Sequence, residues 1–340
     1  MPGQLPLAVQ SFERIGTLTE GNGKKYTRDI GCSGLFNGIP IFLFGDTFTF
    51  NNNGQMINLK TSTAARGDPQ NPTRSTYWET DREGKPAQFV PFTGGEWEFN
   101  KAKQGGGKER YYVWTFSKIA EVSPGKGWMF FPKGRTQSQN MGDNLHFGVQ
   151  LASVETGPNG LPVVKRIMGD PLWPTGEVSW GSFDTIVVND WVYLYGGKDG
   201  HTYICRFPRN ADPREKGKYQ FWVKPGKWSS QPGDYAQMFW KLQSGTVFWS
   251  EFYNCFILVG CTGWADNRII MRSAPRPEGP WTGDSVLHQL EKPKSGFNYC
   301  MNAHPWGFPE SHGGQLLVSW TDQHTGVVEM GKVTWKGYQE

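Results

Sequence analysis

Helical periodicity is the first thing missing from this sequence. No window of eleven or more residues sustains apolar residues at i, i+3, i+4 and i+7 without a glycine or proline inside it. That excludes helical bundles and doubly wound α/β folds. No apolar run approaches the roughly 18 residues that a bilayer-spanning helix needs, so no membrane partner is expected. Charge of one sign is also scarce: Lys+Arg 35 against Asp+Glu 31 leaves +4, too little to argue for nucleic acid, and no basic run is interleaved with stacking aromatics. The five cysteines, Cys32, Cys205, Cys255, Cys261 and Cys300, form neither a CxxC pair nor a zinc spacing. Their odd number cannot complete a disulfide framework, and Cys205, Cys255 and Cys261 lie in or beside apolar runs, which suits buried free thiols. No metal or other cofactor is expected. The opening stretch lacks a charged, then apolar, leader pattern, so the expectation is either an intracellular chain or a secreted one without its leader. There is no Asn-x-Ser/Thr acceptor, since Asn71-Pro72-Thr73 is spoiled by its proline.

What the sequence does contain is turn chemistry and short strands. Glycine (44) and proline (23) together punctuate runs rich in β-branched and aromatic residues. "FNGIPIFLFGDTF" (36–48), "KERYYVWTFSKIAEV" (108–122), "VVNDWVYLYGGKDGHTYICRF" (187–207), "GTVFWSEFYNCFILVGCTGWADNRIIMRSA" (245–274) and "HGGQLLVSWTDQHTGVVEMGKVTW" (312–335) repeat one grammar of strand, tight turn and strand. A meander of three or four antiparallel strands cannot bury both faces alone. The expected architecture is therefore all-β: a five-bladed β-propeller of antiparallel meanders, one domain over 1–340. A sandwich is the competitor, but there are more strands than one sandwich holds and no linker divides them. Within 65–107, outer strands are expected around Gln88–Phe92 and Glu96–Phe99. The stretches 132–147 and 104–109 read as polar and flexible loops.

A propeller's chemistry sits where inner strands converge, so the acids at strand ends beside glycine or aromatic residues matter most. "RDIGCSGLFNGIPIFLFGDT" places Asp29 and Asp46 at the same end of one hairpin. Adjacent strands lie about 4.8 Å apart, a spacing from which paired carboxyl groups can flank a glycosidic bond. One would be ionised, as nucleophile or base, and the other protonated, as acid. Asp29 is assigned the first role and Asp46 the second, with the reverse left open. Arg28 is expected to hold one of them ionised, and Phe48 or Phe50 to desolvate the other. The bland alternative is that both merely stabilise turns. Glu177 and Asp184 bracket "EVSWGSFD", whose Trp180 would bring an aromatic to the mouth; Glu251 and Asp322 end later strands, where turn acids are ordinary. His304 in "YCMNAHPWGF" can orient a hydroxyl or carboxylate or simply pack against Trp306. Substrate-binding candidates are thus Arg28, Trp180, Asp184, Glu251, His304 and Trp306. No Gly-x-Ser-x-Gly elbow and no Walker spacing is present. Sixteen tryptophans offer flat faces for a sugar or a terpenoid, although blade packing accounts for many.

"TRDIGCSGLFNGIPIFLFGDT", "MRSAPRPEGPWT" (271–282) and "MNAHPWGF" with "QLLVSWT" (301–321) resemble a five-bladed propeller family, long of unknown function, whose characterised members are endo-D-arabinanases. The matching points are Arg28-Asp29, Gly45-Asp46-Thr47, Glu278-Gly279-Pro280-Trp281 and His304-Pro305. The resemblance implies hydrolysis of furanosidic, arabinan-type linkages, with the family's two carboxylates falling on Asp29 and Asp46. A second similar scaffold is that of fungal hetero-Diels–Alderases, pericyclases of secondary metabolism, which implies an aromatic axial pocket that orients two reactants by proximity. A carbohydrate-binding propeller without turnover is the third reading. The partner in each case is a small molecule or an oligosaccharide, and the chain a monomer or small homo-oligomer.

Overall fold

A computed structural model describes residues 7–21, 23–103, 109–138, 141–240 and 242–339. The loop expected at 104–109 lies mostly outside the described residues. Strands dominate, and most pair with their immediate neighbours in sequence. Asp184–Val188, Trp191–Lys198, His201–Pro208, Gln220–Lys224 and Lys227–Ser229 follow one another across a single sheet. Ser244–Ser250, Cys255–Cys261, Arg268–Ala274 and Ser285–Gln289 do so across another. Their tight turns are those the sequence signals. Asn189 (φ 52°) follows Val188, and Asp199 and Gly200 (φ 48° and 77°) take the left-handed conformation that a two-residue hairpin needs. The sheet holding Asn298–His304, Gln315–Asp322 and Val327–Trp335 is completed by Val9–Thr17, so the first and last strands among the described residues share it.

Each of these sheets presents one strand to its neighbours through buried polar side chains. Ser33 Oγ meets His304 Nδ1 at 2.6 Å. Thr246 Oγ1 donates to Asn302 Oδ1 at 3.4 Å, and the Val247 amide donates to Asp184 Oδ2 at 2.7 Å. Thr185 Oγ1 donates to the Lys118 carbonyl at 2.9 Å, and the Cys32 thiol to the Thr115 carbonyl at 3.3 Å. Buried polar groups demand partners, and here each finds one outside its own sheet, on another sheet or, for Thr185 and Cys32, on the segment between Arg110–Val113 and Ala120–Ser123. Apolar clusters fill the space between: Phe36, Leu43, Phe131 and Ala152 on one side, Ile257, Val259, Met301 and Val318 on another.

Two expectations for 65–107 fail. Gln88–Phe92 is irregular, and Glu96–Phe99 lies within an α-helix, Gly94–Ala102. The reason is a capping box: the Thr93 side chain accepts from the Glu96 amide, and the Glu96 carboxylate accepts from the Thr93 amide. Glu96 also receives Lys133 and, at 2.6 Å, Arg166 Nη1. The polar loop expected over 132–147 is strand at both its ends, because Lys126–Thr136 and Leu145–Thr156 pair and enter it from either side, while 137, 138 and 141–144 lie outside the strands. The cysteines are free; all but the half-buried Cys255 are buried.

Replacing Glu96 with alanine removes the helix cap and strands Lys133 and Arg166 without their anion. The expected loss is about 3 kcal/mol of unfolding free energy, read as a lower urea midpoint. An unchanged midpoint would show that this carboxylate contributes nothing to the fold.

Candidate active site

The chain enters the site on a broken strand. Thr27–Arg28 pairs with Thr47–Phe50, then the ladder stops, and Cys32–Phe36 resumes pairing with Ile39–Phe44. Between them Ile30 has φ 70° and Gly31 φ 62°. A β-branched residue in that region is strained by roughly 1–3 kcal/mol. The kink lets the Asp29 amide donate to the Asp46 carbonyl at 3.2 Å, and the Gly45 amide to the Asp29 carbonyl at 3.2 Å. Gly45 is needed for space, since a Cβ there would lie 2.6 Å from Asp29 Oδ1 and 2.6 Å from Ile30 Cδ1.

The two aspartates have opposite surroundings. Asp29 Oδ2 accepts from the Tyr299 hydroxyl at 3.1 Å, while Oδ1 is sealed from solvent with no partner. Burial, and then the negative charge of Asp46, push the Asp29 carboxyl up to about 7. Asp46 instead is held from both sides: Arg110 Nη2 donates to Oδ2 at 2.8 Å and the Trp114 indole to Oδ1 at 3.0 Å. Both side chains come from the strand Arg110–Val113 and the residues just after it. Tyr112 stacks on Trp114 with ring centroids 3.9 Å apart, stiffening that arm.

A cavity of about 400 Å³ has Phe116, Glu177, Gln243 and Trp264 among its lining residues, and neither aspartate lines it. Trp264 packs against Tyr299 at 5.2 Å between centroids, and Phe116 edge-on to Trp114 at 6.1 Å, so one ring separates each carboxylate from the cavity wall. Among the described residues no group of three or more His, Cys, Asp or Glu is arranged to hold a metal ion.

Several expected site residues lie elsewhere. Arg28 does not reach either aspartate: its guanidinium, stacked on Phe44, pairs with Glu20 at 3.0 Å and contacts Ser75 and Tyr77. Of the two rings expected to desolvate one of the acids, Phe50 is 45% exposed and Phe48 half-buried. Asp184 is buried and committed to Lys118 and the Val247 amide, although burial still raises its carboxyl. Trp180 is in the core, against Phe221 and Tyr235. Glu251 is exposed in the turn after Ser244–Ser250, and Asp322 caps the turn ahead of Val327–Trp335 through the His324 amide. His304 is fully buried between Ser33 and Ser319, and Trp306 donates its indole N–H to Ser33 at 2.7 Å. Ser33 thus ties the indole to the imidazole, whose Nε2 in turn lies 2.8 Å from Ser319 Oγ. Burial pulls the imidazole down to about 3, so it stays neutral.

Sequence reasoning missed Arg110, Trp114 and Tyr299, the residues that distinguish the two carboxyl groups. Only a weak signal was available: Arg110 and Trp114 stand four apart around a short strand, and nothing local ties Tyr299 to a residue 270 positions away.

A family model described as a domain of unknown function (DUF5005) matches residues 33–332. The chain belongs to this family. The matched region of this DUF5005 chain includes Asp46 and begins just after Asp29. No curated protein matches it. Solved structures similar to the DUF5005 chain include a hydrolase candidate from Bacteroides ovatus, 14% identical, covering 94% of this chain and 87% of that one with a TM-score of 0.62. A GH43_1 enzyme from Xanthomonas citri complexed with xylose is 13% identical over 95% and 90% of the two chains, TM-score 0.51. A family 117 glycoside hydrolase of the marine bacterium Zobellia galactanivorans is 12% identical over 98% and 95%, TM-score 0.51. The likeness runs over almost all of each chain and shows the fold: that of the propeller glycoside hydrolases.

Asp29 and His304 bias stability in opposite directions with pH. A carboxyl raised from 3.8 to about 7 favours the folded state below about pH 4, an advantage lost as pH rises through 7. An imidazole lowered from 6.5 to about 3 favours it above pH 6.5, an advantage lost as pH falls toward 3. In the native protein the two slopes largely cancel between pH 4 and 6.5. In Asp29→Asn the histidine slope is left alone, so unfolding free energy should drop by a few kcal/mol on acidification over that window. Urea titrations of both proteins across this range test it; parallel pH curves would refute it.

Proposed function

We propose that the protein is a five-bladed β-propeller glycoside hydrolase, a single domain, that cleaves furanosidic, arabinan-type linkages with Asp29 and Asp46. The closed ring is supported by the order of the hydrogen bonds between sheets. They pass from Ser33 to His304, from Asn302 to Thr246, from Val247 to Asp184, from Thr185 to Lys118, and from Thr115 back to Cys32, returning to the first sheet. Four of the linked segments are strands, and the fifth, holding Thr115 and Lys118, is the stretch between Arg110–Val113 and Ala120–Ser123.

One observation carries the chemistry: two neighbouring carboxyl groups sit in contrary environments. Asp29, desolvated and raised to about 7, retains a proton at mildly acidic pH and is suited to protonate a leaving glycosidic oxygen. Asp46, gripped by Arg110 and Trp114, is suited to act as the ionised partner, nucleophile or base. This reverses the roles first assigned from sequence. Tyr299 orients the Asp29 carboxyl, and Trp264 offers a flat apolar face to sugar C–H groups at 44% exposure. The arabinan preference rests on the sequence resemblance, whose carboxylates fall on these same two residues.

Asp29→Asn and Asp46→Asn should each fold normally and lose about 10²–10⁴-fold in kcat on an arabinan-type oligosaccharide. The wild-type rate should fall as pH rises past about 7, as Asp29 loses its proton. Unchanged turnover in both variants would end the assignment. A pericyclase would instead turn over a polyene–quinone methide pair, assayed alongside, and be indifferent to both changes.

A further inference from the structure

We infer that the outward face of the hairpin Thr47–Phe50/Met56–Lys60 is a saccharide-binding lip that prolongs the carboxylate site along the substrate chain. The inference rests on the hydrolase reading and extends it to a second binding element. The hairpin is amphipathic in the wrong sense for a folded protein. Its polar side faces the body: Thr47 and Thr49 are buried, Thr47 Oγ1 lies 2.8 Å from Thr63 Oγ1, Asn58 donates to Asp81, and Lys60 approaches the same aspartate. Its apolar side is turned out. Phe48 pairs across from Leu59, and Phe50 from Met56 beside a bulge. Phe50, Met56 and Ile57 are 45%, 55% and 47% exposed. Contiguous exposed apolar strips mark interaction surfaces on folded chains.

Two features say what covers it. The strip is continuous with the site: the strand starts at the residue after Asp46 and pairs with Arg28, the residue before Asp29. At ~3.4 Å per residue, Phe48 and Phe50 stand about 7 and 14 Å along the strand from Asp46, a path over which a bound chain would run. Their rings lie nearly parallel, with centroids 6.3 Å apart and planes 22° from each other, forming two steps of one platform. The strip is also neutral, for no residue from Thr47 to Leu59 is charged. At its tip Asn51 closes the turn, accepting from the Asn53 and Gln55 amides, while Asn52 and Asn53 are exposed. Aromatic faces beside uncharged amides suit a neutral polyhydroxylated chain: C–H groups stack and hydroxyls find donors and acceptors. They do not suit a charged peptide, nucleic acid or anionic lipid.

The test compares an arabinofuranose disaccharide with a longer linear oligomer of the same linkage. Binding is measured by calorimetry in the Asp29→Asn background, and hydrolysis in the otherwise native chain. The longer oligomer should bind more tightly than the disaccharide. Phe50→Ala should weaken the longer ligand about tenfold, equivalent to about 1.4 kcal/mol, and erase its advantage, whereas Phe50→Trp should keep it. Phe50 is exposed, so neither change should disturb folding, which thermal melts verify. If the native chain hydrolyses the oligomer but Phe50→Ala retains the full chain-length advantage, the lip is refuted and the hydrolase reading stands. If the native chain neither binds nor cleaves either saccharide, both fall. If Phe50→Ala instead converts a sedimenting dimer to a monomer with binding intact, the strip is a contact between copies and the lip is again refuted.

Discussion

The arrangement depends on buried polar side chains that can be satisfied only across sheets. Ser33, Asp184, Thr246 and Asn302 each reach a partner on a sheet other than their own, and Thr185 reaches the Lys118 carbonyl just ahead of Ala120–Ser123. Leaving one such group unmatched costs about 1–3 kcal/mol, so the sheets cannot slide or tilt freely against one another. That fixed relation matters because the candidate site is assembled from distant segments. Tyr299 meets Asp29 only because Asn298–His304 is pinned beside Cys32–Phe36, partly through Asn302 donating to the Ile30 carbonyl at 2.9 Å. Lys118 likewise lies against Gly34, where a Cβ would come within 3.0 Å of its side chain.

Desolvation, more than charge pairing, sets the electrostatics of this region. Burial moves both Asp29 and His304 toward their neutral forms, one upward and one downward, although Asp29 is only half-buried and His304 fully so. Asp184 is pushed the same way as Asp29 but is claimed by Lys118. The difference between a carboxyl free to exchange a proton and one consumed by structure is therefore the presence of a cation. Asp46 occupies an intermediate position, bound to Arg110 through one oxygen and to an indole N–H through the other. The strained Ile30 is the local cost of turning Asp29 inward.

Much of the fold was legible because its signals are local. Period-two apolar runs bounded by Asn-Asp, Asp-Gly and Gly-rich turns produced strands at 184–208 and 244–274 where the pattern required them. The helix at Gly94–Ala102 was misread because two glycines in its first turn and an aromatic-rich interior resemble a strand and its turn. The Thr93-x-x-Glu96 box was the contrary signal, and it decided the matter by satisfying two end amides at once. Trp180 and Trp306 were expected at a surface, but ring burial is settled by neighbours: one finds Phe221 and Tyr235, the other a serine for its N–H.

By itself the sequence determined the strands and turns of 184–208 and 244–274, and the placing of Asp29 and Asp46 at one end of a hairpin, since alternation and turn preference act over a few residues. Tertiary structure alone decided what those acids are. Arg28 turned away to Glu20, while Arg110, Trp114 and Tyr299 arrived from other sheets and set one carboxyl apart from the other. A proton affinity is a property of the surroundings, and the surroundings of a buried side chain are made by packing that no short stretch of chain encodes.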